Sequence, residues 1–274
     1  DPNLLANLHD WYFSVRDRSH CRPPILAKSC KSKLVFAYHE DIAVSHGLLN
    51  KHRKCAAARQ VSPSAARNRG PILEVLTRVL PKTGIALEIG SGSGEHAVCF
   101  AKALPKLVWL PSDPDMLARA SIEAWIGTDH LANVRAPVAI DVRRETWGVE
   151  DDAPFDAIVS LNMVHIAPWA ASLGLLAGAG RLLRTAGVLF LYGPFMRGGL
   201  HTAASNAAFD VDLKRRDKSW GIRDVDELVL EAAPHGFELH EVAAMPANNL
   251  SLVFVKWNRT HHSAASDAER GSAN

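Results

Sequence analysis

The stretch with the clearest chemistry is Ala86-Leu87-Glu88-Ile89-Gly90-Ser91-Gly92-Ser93-Gly94-Glu95-His96. A glycine-rich turn between a buried strand and a helix lets a ligand approach backbone that side chains would otherwise shield. The helix start beyond it offers unpaired N–H groups and the positive end of a dipole. That combination suits a nucleotide-type ligand. Asp113 stands nineteen residues after Gly94, where a carboxylate at a strand end accepts ribose hydroxyls. Its alternative is a helix cap in Ser112-Asp113-Pro114-Asp115, with Asp115 as the second ribose candidate. Asp141 ends a later strand, as an acceptor for an adenine amino group or as a solvated loop residue. Glu88/Gly90, Asp113 and Asp141 together outline an adenosine-sized slot.

Further candidates follow along the chain. Ser91 and His96 belong to the turn and helix start, and Arg67 and Asn68 precede the glycine stretch as groups to close over the ligand. Asn162 and Met163 follow the fourth strand and would line the slot, with His165 facing a substrate as proton acceptor. Tyr192 and Asp210 are the other proton-handling candidates, with Asn206 and Asn249 as orienting groups.

Positioning these groups takes alternating strands and helices. Helical spacing from Ile72 to Leu80, with Pro71 near the first turn and Pro81 as the stop, predicts a helix ahead of the first strand. Strands are expected over 85–89, 106–110, 138–141, 156–161 and 188–192. Helices are expected over 94–104, 116–126 and 168–184, the last stopped at Gly187. Such alternation builds a mostly parallel, doubly wound sheet with ligands outside the carboxyl ends of its strands. Two more helices (206–217, 225–233) lead to strands 237–243 and 250–257, whose short link makes an antiparallel hairpin.

The 274 residues allow one α/β domain over 61–257, a basic and poorly ordered extension over 1–60, and a flexible tail over 258–274. Because the chain starts at Asp1, it reads as a processed product or a fragment. Residues 1–69 carry twelve Lys/Arg against five Asp/Glu (+7), the remainder nineteen against twenty-four (−5). The acidic remainder disfavours a broad nucleic-acid footprint. No apolar run approaches the ~18 residues of a membrane span. Cysteines 21, 30, 55 and 99 lack the C-x-x-C spacing of a metal or redox site, so no metal and a reducing, cytoplasmic setting are expected. The basic extension leaves organellar import open.

The third glycine of a dinucleotide fingerprint is replaced by Glu95, which disfavours NAD. With Glu88 two places before the first glycine, the chain resembles class I S-adenosylmethionine-dependent methyltransferases. From about Ser62 to Trp257 it also resembles the domain-of-unknown-function 938 (UPF0585, methyltransferase-like protein 26) family. Carrying segments are Arg67-Asn68-Arg69, residues 87–97, Pro111-Ser112-Asp113-Pro114-Asp115, residues 162–169, Leu191-Tyr192-Gly193-Pro194-Phe195, residues 205–210, Trp220-Gly221-Ile222-Arg223-Asp224 and residues 245–250. Ala66 departs from the family's usual glutamate, and residues 1–60 match no pattern in it. The resemblance implies a Rossmann-like class I fold and S-adenosylmethionine as cofactor. It supplies no substrate.

Two functions compete at this point. One is a methyltransferase acting on a small molecule or a protein side chain. The other is a non-catalytic, cofactor-binding scaffold, favoured by the absence of an Asn/Asp-Pro-Pro-Tyr/Phe segment.

Overall fold

The structure, a computed structural model, describes residues 59–257. The expected extension and tail lie outside the described residues, apart from Arg59 and Gln60. Helix α1 (Pro63–Val79) starts a full eight residues ahead of Pro71. Ser62 is its N-cap, accepting from Ala65 N at 3.3 Å, and Pro63 occupies the first turn, where a missing N–H costs nothing. Pro71 therefore sits inside the helix, and Arg67 to Arg69 lie on it rather than ahead of it.

The chain then alternates through β1 (Gly84–Ile89), α2 (Glu95–Ala103), β2 (Leu107–Ser112), α3 (Met116–Asp129), β3 (Phe155–Leu161), α4 (Trp169–Leu182) and β4 (Leu183–Gly193). A two-stranded hairpin, β5 (Met196–Arg197) and β6 (Leu200–His201), precedes α5 (Ala204–Arg216) and α6 (Val225–Ala232). The chain closes with β7 (Phe237–Met245) and β8 (Asn249–Lys256). The main sheet runs β2-β1-β3-β4-β8-β7, parallel through β4 and antiparallel beyond it.

Two expected elements differ. Residues 138–141 form no strand: that edge has only isolated bridges, Trp109 to Val134 and Ser112 to Val138. Pro137, just before Val138, has no N–H to extend a ladder. Helix α4 ends at Leu182 rather than at 184, and Gly187, the expected stop signal, falls within β4. The left-handed residue there is Ala186, in a register shift between Phe155 and Ala157 of β3.

The alternating side chains of each strand bury two cores. Leu87, Ile158 and Leu189 face α4 and α6, packing with Leu175, Leu176 and Leu228. Ala86, Ala157 and Phe190 face the opposite layer, with Ile72 and Leu76 of α1 and Phe100 of α2. A third, smaller cluster of Phe209, Leu213, Trp220 and Ile222 seats the segment 195–224 against Ile166. That segment caps the carboxyl end of the sheet. No helix among the described residues is long and apolar enough to cross a membrane.

Candidate cofactor site

Gly90, Gly92 and Gly94 have φ of 71°, 56° and 90°, the left-handed region open to glycine. The resulting loop turns back on itself: Ser91 N donates to Ser112 O at 2.8 Å, and Gly94 N to Ser91 O at 3.1 Å. A Cβ on Gly94 would lie 2.8 Å from Ile122 Cα, so its absence lets α2 start hard against α3. Asp113, at the end of β2, binds the loop directly. Its Oδ2 accepts from Gly92 N at 3.0 Å and its Oδ1 from Asp115 N at 2.9 Å. Burial raises its pKa above the ordinary carboxylate value. Asp115 caps α3, accepting from Leu117 N at 2.6 Å.

A cavity of about 430 Å³ opens here, within the range of about 300–1,000 Å³ for small-ligand sites. Gly90, Gly92, Asp113, Asp141 and Met163 line it together. Asn162 explains the last of these. Its φ of 61° turns the chain sharply out of β3, a conformation asparagine tolerates, and Met163 swings against Gly90. A Cβ on Gly90 would stand 3.2 Å from Met163. The Asp141 carboxylate pairs with Arg143 at 2.6 Å, which holds its pKa low, and Arg143 lines the same cavity. The remaining wall includes Pro114, Val142, Ile166, Pro168, Asp217 and Trp220.

Several sequence candidates have other places. Glu88 is buried, its Oε2 accepts from Trp109 Nε1 at 2.8 Å and its carboxyl also meets the Ser91 hydroxyl, but it does not line the cavity. Side-chain alternation along β1 sends it toward Trp109, and burial raises its pKa to about 7. The Ser91 hydroxyl ties the loop to the end of β2, accepting from Ser112 N at 3.1 Å. His96 stacks on Phe100 with centroids 5.4 Å apart, and burial lowers its pKa to about 4. Asn68 is half-buried on α1, and neither it nor Asn162 is on the cavity wall.

The three proton-handling candidates are corrected most. His165 is buried against Phe195, its Nδ1 accepting from Arg223 N at 3.2 Å and its carbonyl from Gly221 N at 3.0 Å. That contact leaves Nε2 with the proton of the neutral ring, facing Gly193 rather than the cavity. Burial pushes its pKa to about 3, too low for a base near neutrality. Tyr192 is sealed in the α1-side core, its pKa raised by burial, with Asn249 as its hydrogen-bond partner. Asp210 is a staple within the cap, accepting from Lys214 Nζ at 2.6 Å and Ile222 N at 2.8 Å. Asn206 and Asn249 likewise hold backbone, donating to Asn248 O and Pro246 O.

Trp220 and Asp217 were missed as wall residues because the cap delivers them from more than a hundred residues beyond the glycines. Arg223 fixes that delivery. It donates to Val164 O, Ala167 O and Ser219 O at 2.7–2.9 Å, tying the cap to the loop after β3. Trp220 stood inside a family-like segment, which was the available signal.

The family model described as "Protein of unknown function (DUF938)" matches residues 59–256. The chain belongs to the DUF938 family. Among curated proteins, this DUF938 chain is similar to a tRNA (guanine-N(7)-)-methyltransferase of Rhodopseudomonas palustris. They are 29% identical over 89 residues, which cover 32% of this chain and 33% of that protein. Among solved structures it resembles an O-methyltransferase family protein from Burkholderia thailandensis, with a TM-score of 0.62 and 13% identity, covering 72% of this chain and 58% of that one. It also resembles CalO1, a methyltransferase in calicheamicin biosynthesis solved with SAH bound, at a TM-score of 0.56 and 18% identity, covering 80% and 60%. The DUF938 chain thus spans a third of the curated relative and under two thirds of these structures. The likeness shows the fold, a Rossmann-like class I methyltransferase fold, as the family resemblance implied.

Titration of the buried groups gives this DUF938 fold a pH signature. His96 and His165 stay neutral when folded but take up protons near 6.5 when unfolded, so stability is lost as pH falls below about 6.5. Glu88 acts in the opposite sense. The folded state keeps its proton up to about 7, the unfolded state only to about 4.5, so that contribution is lost as pH rises through this window. Glu88→Gln keeps an acceptor for Trp109 and removes the counterweight. Its melting temperature should therefore climb steadily from pH 4.5 to 6.5 and level off above. Wild-type melting temperatures over the same series should show a shallower rise. Parallel curves for the two proteins would contradict the assignment.

Proposed function

We propose that this chain is an S-adenosylmethionine-dependent methyltransferase, with the cofactor in the cavity bounded by Gly90, Gly92, Asp113, Asp141 and Met163. The observation that carries the reading is Asp113. Its carboxylate forms part of the cavity wall and is aligned by the glycine loop's own N–H, yet each oxygen retains a lone pair for a ribose hydroxyl. The donor set fits the group: a glycine cradle bare of side chains, a carboxylate for ribose, and apolar Met163, Val142 and Pro168 for a flat base. When bound, the cofactor supplies an electrophilic methyl group on sulfur, which needs little chemical activation. The chain's own contribution is therefore positioning and water exclusion. Trp220, Ile166 and Pro168 close one side with apolar surface, and Arg223 anchors the cap that carries Trp220. On the wall the carboxylates of Asp113, Asp115, Asp141 and Asp217 outnumber the single guanidinium, Arg143, which disfavours a polyanionic acceptor. A small molecule or a protein side chain fits this charge.

A second reading, a cofactor-binding scaffold without turnover, is favoured by one observation: His165, the candidate base, turns its ring away from the cavity. Labelled-methyl transfer screened across metabolites and peptides separates the two readings. For the cofactor itself, titration calorimetry should show binding of S-adenosylmethionine and S-adenosylhomocysteine but not NAD. Asp113→Ala should weaken both by about 10- to 100-fold, from hydrogen bonds to a charged acceptor worth about 1.5–3 kcal/mol. Tight NAD binding, or unchanged affinity in Asp113→Ala, would remove the reading.

A further inference from the structure

The glycine loop has a back as well as a face. Gly90 and Gly92 face the cavity, while Ser93 is gripped from behind by two side chains. Its hydroxyl donates to Glu95 Oε2 at 3.2 Å, and its carbonyl accepts from Ser121 Oγ at 2.7 Å. The same two side chains reach the segment that enters α1. Ser62 N donates to Glu95 Oε2 at 2.5 Å, and Gln60 N donates to Ser121 Oγ at 2.8 Å. The segment is further tied to α3, where Trp125 Nε1 donates to Gln60 O at 3.0 Å and the Arg59 guanidinium lies 4.7 Å over the Trp125 ring. Ser62, Ser93, Glu95 and Ser121 are all buried.

A loop with three left-handed glycines has little rigidity of its own, because glycine loses the most backbone freedom on ordering. Whatever holds it must come from outside. Here the holders are one buried carboxylate, whose hydrogen bonds are of the strong charge-assisted kind, and one hydroxyl that both donates and accepts. Glu95 occupies the position where a dinucleotide fold would place its third glycine. In this chain that position serves to clamp rather than to permit close packing.

We infer that Glu95 and Ser121 are positioning residues that link segment 59–62 to the glycine loop and set its cofactor-binding shape. Neither residue lines the cavity, so each acts through the loop alone. The inference rests on the cofactor reading above. An unclamped loop must be ordered by the ligand itself, and that cost appears as lost affinity.

The test is the affinity of the full chain for S-adenosylmethionine and S-adenosylhomocysteine, measured by calorimetry at a temperature where melting curves show each variant folded. Glu95→Ala should weaken binding by about tenfold or more, and Ser121→Ala by roughly threefold to tenfold. Glu95→Gln keeps an acceptor for Ser62 N and for Ser93 Oγ, and should recover to within about threefold of wild type. A purely structural role would lower the melting temperature and leave the affinity of the folded variant untouched. Wild-type affinity in folded Glu95→Ala therefore overturns the clamp and leaves the cofactor reading standing. Should Glu95→Ala not fold, Ser121→Ala decides by the same criterion. A wild-type chain that binds neither ligand overturns both.

Discussion

Gly92→Arg should bring S-adenosylmethionine binding below detection, a loss of more than about 100-fold, while the protein stays folded. The two halves of that expectation have separate causes. Gly92 lies on the cavity wall with a φ of 56°, and its N–H already serves Asp113 at 3.0 Å. Because Gly92 lines a cavity of about 430 Å³ and sits against Asp113, an arginine there is expected to take both the space and the carboxylate. The fold loses only the cost of a left-handed non-glycine residue, about 1–2 kcal/mol, against a total of about 5–15 kcal/mol. Gly92→Ala separates the terms, since it carries the same backbone cost with little added volume. Calorimetry and melting on the two variants check the pair. Retained binding in folded Gly92→Arg would place the cofactor elsewhere.

Trp109→Ala is expected to carry the largest stability loss. Trp109 is fully buried at the centre of β2 and meets Phe100 edge-on at 5.7 Å. Truncating a buried aromatic of this size costs about 3–5 kcal/mol. The same change also strips Glu88 of its Nε1–H donor, leaving a buried carboxyl partly unsatisfied, a further cost of about 1–3 kcal/mol. The sum approaches the whole stability of an ordinary domain. Trp109→Phe keeps most of the bulk and loses only the donor, so it should cost no more than about 1–3 kcal/mol. Denaturant unfolding of both variants separates packing from hydrogen bonding. Equal losses would mean that the Glu88 contact contributes nothing.

What could be read from the chain beforehand follows from range. The glycine loop, the strands on either side of it and the closing hairpin announce themselves in short, local patterns, and the fold class followed from them. Pro71 misled because proline marks a first turn only when no better start precedes it, and Ser62-Pro63 is such a start. The edge strand failed at Pro137 for want of one N–H. Of the cofactor contacts chosen at the ends of successive strands, Asp113, Asp141 and Met163 share one cavity wall, whereas Asn162 lies off it. Those chosen by residue type alone fared differently. His165 and Tyr192 are polar groups near strand ends and Asp210 lies within α5, but the structure spends all three on seating the cap and filling the core. Nothing local distinguishes a histidine that accepts from Arg223 N from one that would accept a substrate proton.

The two margins of the main sheet carry a consequence for assembly. Along β2, the backbone of Trp109 is already engaged on its outer side by Asn133 and Arg135, and Pro111 and Asp113 by Val138. Along β7, a register break between Leu239 and Glu241 interrupts the ladder, and Glu241 projects to pair with Arg78 at 2.5 Å. Exposed Glu238 and His240 flank the break. Among the described residues, the β2 margin therefore offers another strand no free run of amides, while at the β7 margin the break and the charged side chains interrupt a straight template. Strand-to-strand association along the β2 border is disfavoured by the chain's own backbone, which already occupies it.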